Sequence, residues 1–250
     1  MFDYAAAAAM MDVYAGAWYM LAIVYLAYVH VAPAPRTWRA APWVCSAWNL
    51  ICSIFSTCGL YAMATYIMSL PAHKQTLSNL FNDTEYMFDE NAGPWVCAFV
   101  LSKIPELFDT VLVKCRGKQP TFLQWFHHVA TMMYARLLYT DKSLNSVGLV
   151  MSTLNYAVHS VMYMYFALMA SHFAARGTRL RSTLLRVSPA ITVVQVLQMF
   201  VVLFMFWFRY TYLLIAVDWY GLLMYTVYAA CFTHLLLTRQ KRSLPANKTS

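Results

Sequence analysis

TFLQWFHHVATMMYARLLY, residues 121–139, is an apolar stretch with Gln124, His127 and His128 near its head. A membrane-spanning helix needs about 20 predominantly apolar residues. This stretch meets that length, and Pro120 just before it suits a helix start. Two adjacent imidazoles in such a segment are costly in lipid. They are therefore expected to face a protein interior or a water-filled cavity and to have a task there. Moving outward, six more apolar segments of spanning length follow the same pattern: 14–31, 43–70, 95–113, 144–170, 188–208 and 212–237. Pro33 and Pro35 close the first of these and Pro71 the second. The fold class expected is an all-α membrane protein of seven transmembrane helices, with one domain over 1–250. It divides into a short N-terminus (1–13), a seven-span bundle (14–237) and a basic tail (238–250).

Composition agrees. The chain is 61% hydrophobic and 11% charged, against about 25% charged in soluble domains. An aromatic content of 16% suits Trp and Tyr at membrane interfaces. The net charge of +8 does not imply a nucleic-acid partner, which needs a basic patch on one face. Here the basic residues lie scattered between apolar runs. Cys45, Cys52, Cys58, Cys97, Cys115 and Cys231 lack CxxC spacing and read as small core residues rather than a disulfide framework or a zinc site. The N-terminus has no basic leader region, so a cleaved signal peptide is not expected. Its alanine run, 5–9, reads as an amphipathic or frayed terminus.

Orientation follows from Lys and Arg, which collect in cytoplasmic loops. Arg36, Arg39, Lys114, Arg116, Lys118, Arg176, Arg179, Arg181, Arg186, Arg239, Lys241, Arg242 and Lys248 fall on one side, thirteen of the eighteen basic residues. The other side has Lys74, Lys142 and Arg209, while Lys103 and Arg136 lie within spans. Asp3, Asp12, Asp83, Glu85, Asp89, Glu90 and Asp141 all fall on the lysine-poor side. An N-terminus in the lumen and a C-terminus in the cytoplasm sorts the charges best.

That orientation brings four polar clusters toward the cytoplasmic half, His159 alone coming from mid-depth: Lys103, Glu106, Asp109 and Thr110; Gln124, His127 and His128; Asn155 and His159; and Thr192, Gln195 and Gln198. On a helix, Gln124 can sit beneath either imidazole, at i,i+3 or i,i+4. His159 has Asn155 and Tyr163 one turn away on either side. Lys103, Glu106, Asp109 and Thr110 recur at three- to four-residue steps as one polar stripe, and Thr192, Gln195 and Gln198 form another.

Several chemistries compete for such clusters. Buried His, Gln and Asn contacts can simply hold helices together. Closely spaced histidines can ligate a metal, as in a metal-dependent lipid oxygenase, but His30, His73, His172 and His234 lie outside the constellation. A proton-coupled seven-helix carrier or channel would use the imidazoles as a relay. A retinal receptor would need a lysine in the last span, which has none. A Cys–His nucleophile would need a cysteine within a turn of His127 or His159, and none is there.

The motifs Lys103-x-x-Glu106-x-x-Asp109-Thr110, Gln124-x-x-His127-His128, Asn155-x-x-x-His159-x-x-Met162-Tyr163-x-Tyr165 and Thr192-x-x-Gln195-x-x-Gln198 together resemble the ELO family of fatty-acid elongases. They occur in the family's order and spacing, and the seven-span plan covers the chain. Two positions depart from the pattern. Gln124 stands where the family box usually begins with histidine, and Phe166 ends the tyrosine run. A full dilysine retrieval signal is also missing, since Asn247 precedes Lys248.

The resemblance implies a multi-pass enzyme of the endoplasmic reticulum membrane that joins acyl-CoA to malonyl-CoA, releasing CO2 and CoA. The product is a 3-oxoacyl-CoA two carbons longer, and no cofactor or metal is implied. By position His127 is the nucleophile, attacking the thioester to form an acyl-imidazole, which splits the condensation into two steps. His159 would assist the second step with Asn155 orienting it, while His128 and Gln124 orient or polarise. Tyr163, Lys103, Glu106, Asp109, Thr192, Gln195 and Gln198 are placed as supporting residues. Arg116, Lys118, Arg179 and Arg181 offer positive charge to the polyanionic CoA. The implied partners are acyl-CoA, malonyl-CoA, the lipid bilayer, and the reductases and dehydratase that complete the elongation cycle. A homodimer is left open.

Overall fold

The computed structural model describes residues 2–33, 41–141 and 143–243. Arg36, Arg39, Lys142 and Lys248 lie outside the described residues, as does 244–250 of the tail. Among the described residues the regular structure is helical throughout, with no strand. The helices are α1 (Tyr4–Val13), α2 (Ala15–His30), α3 (Pro42–Ser69), the short α4 (Leu77–Leu80), α5 (Ala92–Glu106), α6 (Phe108–Cys115), α7 (Phe122–Thr140), α8 (Gly148–Ala170), α9 (Arg179–Tyr212) and α10 (Trp219–Ser243).

Among the described residues three helices are long and apolar enough to cross a membrane: α3, α9 and α10 over Trp219–Thr238. The pair α1 and α2 makes a fourth if it counts as one broken span. With 23 residues, α8 is long enough at about 34 Å, but Ser152, Asn155 and His159 dilute its apolar surface. Likewise α7 carries Gln124, His127, His128 and Arg136, and α5–α6 carry Lys103, Glu106, Asp109 and Lys114. The helices that carry His127, His128, His159, Glu106 and Asp109 fall short of simple lipid-facing composition, whereas α9 meets it despite Thr192, Gln195 and Gln198.

The boundaries differ from the sequence expectation in four places, each with a local cause. The alanine run is not frayed: Asp3 accepts the Ala6 N–H and caps α1, and α1 bends into α2 by 56° at Tyr14. The segment expected at 95–113 is two helices. Pro105 has no N–H to donate and its ring crowds the preceding turn, and α5 ends at Glu106 with a tight Leu107 N–H to Ile104 O bond. The segment expected from 188 begins nine residues earlier, because Thr178 accepts the Arg181 N–H as an N-cap. Arg179, Arg181 and Arg186 are therefore helical, and Pro189 lies inside α9. Finally, α10 starts at Trp219 rather than near 212, after a non-helical link in which Leu214 has φ 53°.

Helix α7 is the middle of the bundle. Its Met132, Ala135 and Tyr139, spaced by three and four, join an apolar cluster with α1, α2, α3, α5 and α8. Its Ala130, Tyr134 and Leu138 join a second cluster with α8, α9 and α10. Buried charges fasten other helices to it or to each other. Arg136 donates to Asp12 Oδ1 at 2.7 Å, tying α1 to α7. Arg209 donates to the Phe81 carbonyl and to Ser146 Oγ. Lys114 Nζ reaches the carbonyls of Tyr28, Val29 and Ala32 at 2.6–2.8 Å, so a buried lysine caps the C-terminus of α2.

The most extensive helix pairing is α3 on α8. It is permitted by Gly59, where an added Cβ would lie 2.3 Å from Tyr156 Cζ. That ring cannot move cheaply, since it is buried and its hydroxyl donates to Trp95 O at 2.8 Å. Gly59→Ala should therefore lower stability by about 1–3 kcal/mol, the usual cost of overpacking. Gly16→Ala, with nothing within 4 Å of the added atom, should not. Thermal unfolding of the two purified variants in detergent checks the difference.

Candidate active site

One cavity of about 560 Å³ opens between α3, α6, α7, α8, α9 and α10, at the end of the bundle that carries Arg116, Lys118 and Arg181. Gln124, His127 and His128 enter it from α7, Asn155, His159 and Tyr163 from α8, Gln195 and Gln198 from α9, and Asp109 from α6. Twelve of the sixteen residues given a catalytic, supporting or CoA-binding role from the sequence line this one space. The four that do not are Lys103, Glu106, Thr192 and Arg179. Lys103, Glu106 and Thr192 are buried beside or behind it, and Arg179 is exposed.

The expected single stripe on residues 103–110 is divided in two by the break at Leu107. Lys103 Nζ donates to Glu106 Oε1 at 2.6 Å and to Asn155 Oδ1 at 3.0 Å, and stands 4.2 Å from the centre of the Phe99 ring. Asn155 Nδ2 lies 3.2 Å from His159 Nε2, and His159 Nδ1 lies 3.9 Å from Glu106 Oε1. These four side chains form one group across α5 and α8, with Ser102 Oγ also donating to Glu106 Oε1 at 3.2 Å. Past the break, Asp109 belongs to a different group. Its Oδ1 accepts from Trp48 Nε1 at 2.6 Å, its Oδ2 accepts from Tyr163 O–H at 2.7 Å, and His128 Nε2 is 4.0 Å from Oδ2. Tyr163 therefore serves Asp109 and meets His159 only as a ring edge, with centroids 5.1 Å apart. Thr110 turns outward to the Tyr25 hydroxyl on α2 at 2.8 Å.

The two box histidines are placed differently. His128 is wedged beside Asp109, and its buried Nδ1 has no hydrogen-bond partner among the described residues. The His127 ring is set against Tyr228 and Phe232 of α10, with centroids 4.9 and 6.5 Å away. Tyr228 donates to the His127 carbonyl at 3.2 Å. Neither the His127 imidazole nor the Gln124 amide takes part in a side-chain hydrogen bond among the described residues. Gln124 does not sit beneath an imidazole as the i,i+3 and i,i+4 spacings allowed. Of the other glutamines, Gln195 reaches Met162 Sδ at 3.2 Å, and Gln198 is buried on the cavity wall. No group of three His, Cys, Asp or Glu side chains with metal-holding geometry occurs among the described residues.

A model of the GNS1/SUR4 (ELO) family matches residues 10–243. The chain belongs to this family. It is similar to fatty acid elongase 2 of Trypanosoma brucei brucei, 39% identical over 155 residues that cover 62% of this chain and 54% of that protein. It is also similar to fatty acid elongase 2 of Trypanosoma cruzi, 36% identical over 62% of this chain and 52% of that one. In both cases the match spans about half the relative's length. Fatty acid elongase 3 of Trypanosoma brucei brucei is 30% identical over 269 aligned positions, covering 92% of this chain and 85% of that protein. No solved structure matches.

In this GNS1/SUR4 family member, sequence reasoning missed Cys45, Trp48 and Asn49 from α3, and Tyr228 and Phe232, the α10 rings against His127. Cys45 and Asn49 line the space, Asn49 donating to the Cys45 carbonyl at 2.6 Å. Trp48 holds Asp109. A tryptophan in an apolar span looks like a lipid-facing or interfacial residue, and no spacing marks its indole N–H as a carboxylate donor. Hydrogen bonds to a charged group contribute about 1.5–3 kcal/mol. Trp48→Phe and Tyr163→Phe should each destabilise the protein by about that much. Tyr165→Phe, a cavity tyrosine with no hydrogen bond among the described residues, should unfold at the wild-type temperature in the same detergent assay.

Proposed function

We propose that this chain is a fatty acid elongase that condenses an acyl-CoA with malonyl-CoA. The products are a 3-oxoacyl-CoA two carbons longer, CO2 and free CoA. The observation that carries the reading is the His127 imidazole. It lines the shared cavity with neither ring nitrogen hydrogen-bonded among the described residues and is set against Tyr228 and Phe232, whereas His128 faces the Asp109 carboxylate. A nucleophile needs such an uncommitted lone pair. In the first step the free nitrogen of His127 attacks the thioester carbonyl, the C–S bond breaks, and CoA leaves as the thiol once it takes the proton released from the ring. The acyl group stays on the imidazole. Malonyl-CoA then enters and loses CO2, the electron pair left on its α-carbon attacks the acyl-imidazole and breaks its C–N bond, and the released imidazole nitrogen takes up a proton from solvent, restoring His127.

His159, bonded to Asn155 in the same cavity, serves the second step. His128 and Gln124 position the reacting groups, with Asp109 and Tyr163 beside them. Gln195 and Gln198 supply neutral donors and acceptors to the wall. Arg116, Lys118 and Arg181 at the open end suit the CoA phosphates. Arg179, two residues from Arg181 and exposed, contributes to the surrounding positive field. The Lys103–Glu106 pair and Thr192 brace the helices from behind.

The same reading places the protein as a seven-span chain in the endoplasmic reticulum membrane, with the N-terminus lumenal and the basic tail cytoplasmic. The cavity would open where cytosolic CoA esters reach it. Elongation needs reductases and a dehydratase to turn the 3-oxo product into a saturated chain, and these are the partners proposed.

Intact-mass measurement of the purified protein after exposure to an acyl-CoA alone should show one acyl adduct, absent from His127→Ala. Wild-type protein without an adduct would refute the covalent step. At Gln124, the His variant should keep appreciable elongation and the Ala variant should lose most of it. Equal activities for wild type, Gln124→His and Gln124→Ala would show that the position has no role.

A further inference from the structure

Lysine has only donors, and the side-chain amide has one accepting and one donating end. These two facts settle how the group across α5 and α8 is wired. Lys103 Nζ is 3.0 Å from the Asn155 amide, so the end facing it must be the oxygen. The amide nitrogen then faces His159 Nε2 at 3.2 Å, and because that nitrogen only donates, Nε2 must accept. A neutral imidazole that accepts at Nε2 carries its proton on Nδ1. Nδ1 faces Glu106 Oε1 at 3.9 Å, the same carboxylate oxygen that receives Lys103 at 2.6 Å. Every orientation among these four side chains is thus dictated by the lysine. Reversing the imidazole would set two N–H groups against each other at Asn155.

We propose that Lys103 is a positioning residue that, acting through Asn155, holds His159 in the tautomer with the lone pair on Nε2 and the proton on Nδ1. This deepens the elongase reading and rests on it for what His159 does in the reaction, while the tautomer itself is a property of the resting protein. His159 and Asn155 line the cavity, and Lys103 and Glu106 do not. The lysine therefore acts without touching substrate. It presents His159 as an acceptor, ready to take a proton or to receive a hydrogen bond at Nε2, rather than as a donor. A wrong tautomer with intact geometry is enough to disable a histidine-dependent site.

The test is nitrogen NMR of protein labelled at the histidine ring nitrogens, without substrate, with the His159 signals identified by their loss in His159→Gln. Wild type should show an unprotonated Nε2 and a protonated Nδ1. In Asn155→Asp the carboxylate can accept from both Lys103 and the imidazole, so the proton should move to Nε2. In the same variant kcat should fall by roughly 10²-fold or more, the range spanned by acid–base contributions, with KM for both CoA esters little changed. Lys103→Met frees the amide to turn over and should give a mixture of tautomers. Because that variant leaves Glu106 unpaired, Lys103→Met/Glu106→Gln provides a second, better-folded version of the same test. A wild-type His159 protonated at Nε2 would overturn the proposal. So would a wild-type tautomer retained in both Asn155→Asp and the double variant. The readout uses no acyl-CoA, so its failure is distinct from a failure to form the acyl adduct.

Discussion

A lysine ammonium and a glutamate carboxylate are taken out of water together at Lys103 and Glu106, which are only 2% and 7% exposed. Each charge alone would be very costly there, and breaking such a pair typically costs about 3–5 kcal/mol because the surviving charge is stranded. Within one helix the pair sits at i,i+3. Its remaining valences reach outward, the lysine to Asn155 on α8 and the carboxylate toward His159. The pairing thereby fixes how α5 and α8 face each other and which atoms of the cavity wall are donors or acceptors. The chain then breaks at Leu107 behind Pro105, which releases Asp109 from the same stripe and turns it to Trp48, Tyr163 and His128. Two carboxylates three residues apart serve two different histidines because the helix between them is interrupted.

Much of this was legible in the sequence, for physical reasons that can be named. Polar residues in otherwise apolar segments must find partners, and this predicts convergence without knowledge of the fold; twelve of the sixteen residues given a site role from the sequence meet in one cavity. Asn155 and His159 pair as i,i+4 spacing allows. Gln124 and the His127–His128 pair share that spacing, yet no hydrogen bond joins them. Spacing brings side chains within reach, but whether they bond depends on what else competes for them. Tyr163 shows the same limit: it is one turn from His159, but its hydroxyl goes to the charged Asp109.

The misjudged boundaries share a cause too. Hydropathy marks where a chain can be buried, not where hydrogen bonding stops. Helix α9 gains nine residues because Thr178 caps it, and α1 is ordered because Asp3 does the same. By sequence alone, Lys114 and Arg209 read as charges that report topology. The structure uses both as interior donors to carbonyls, one closing α2 and the other anchoring the Phe81 turn. Trp48 had no signal at all, since its partner lies 61 residues away.

The His127 imidazole, seated on an aromatic wall with neither ring nitrogen hydrogen-bonded among the described residues, is the group proposed to form a covalent acyl intermediate. On that account the enzyme completes half of its reaction with one substrate, and the step runs in both directions. Exchange of isotopically labelled CoA into unlabelled acyl-CoA, measured with purified protein in the absence of malonyl-CoA, tests this most directly. The account predicts steady exchange by the wild-type protein and none by His127→Ala. Exchange that begins only when malonyl-CoA is added, or that persists without His127, would contradict it.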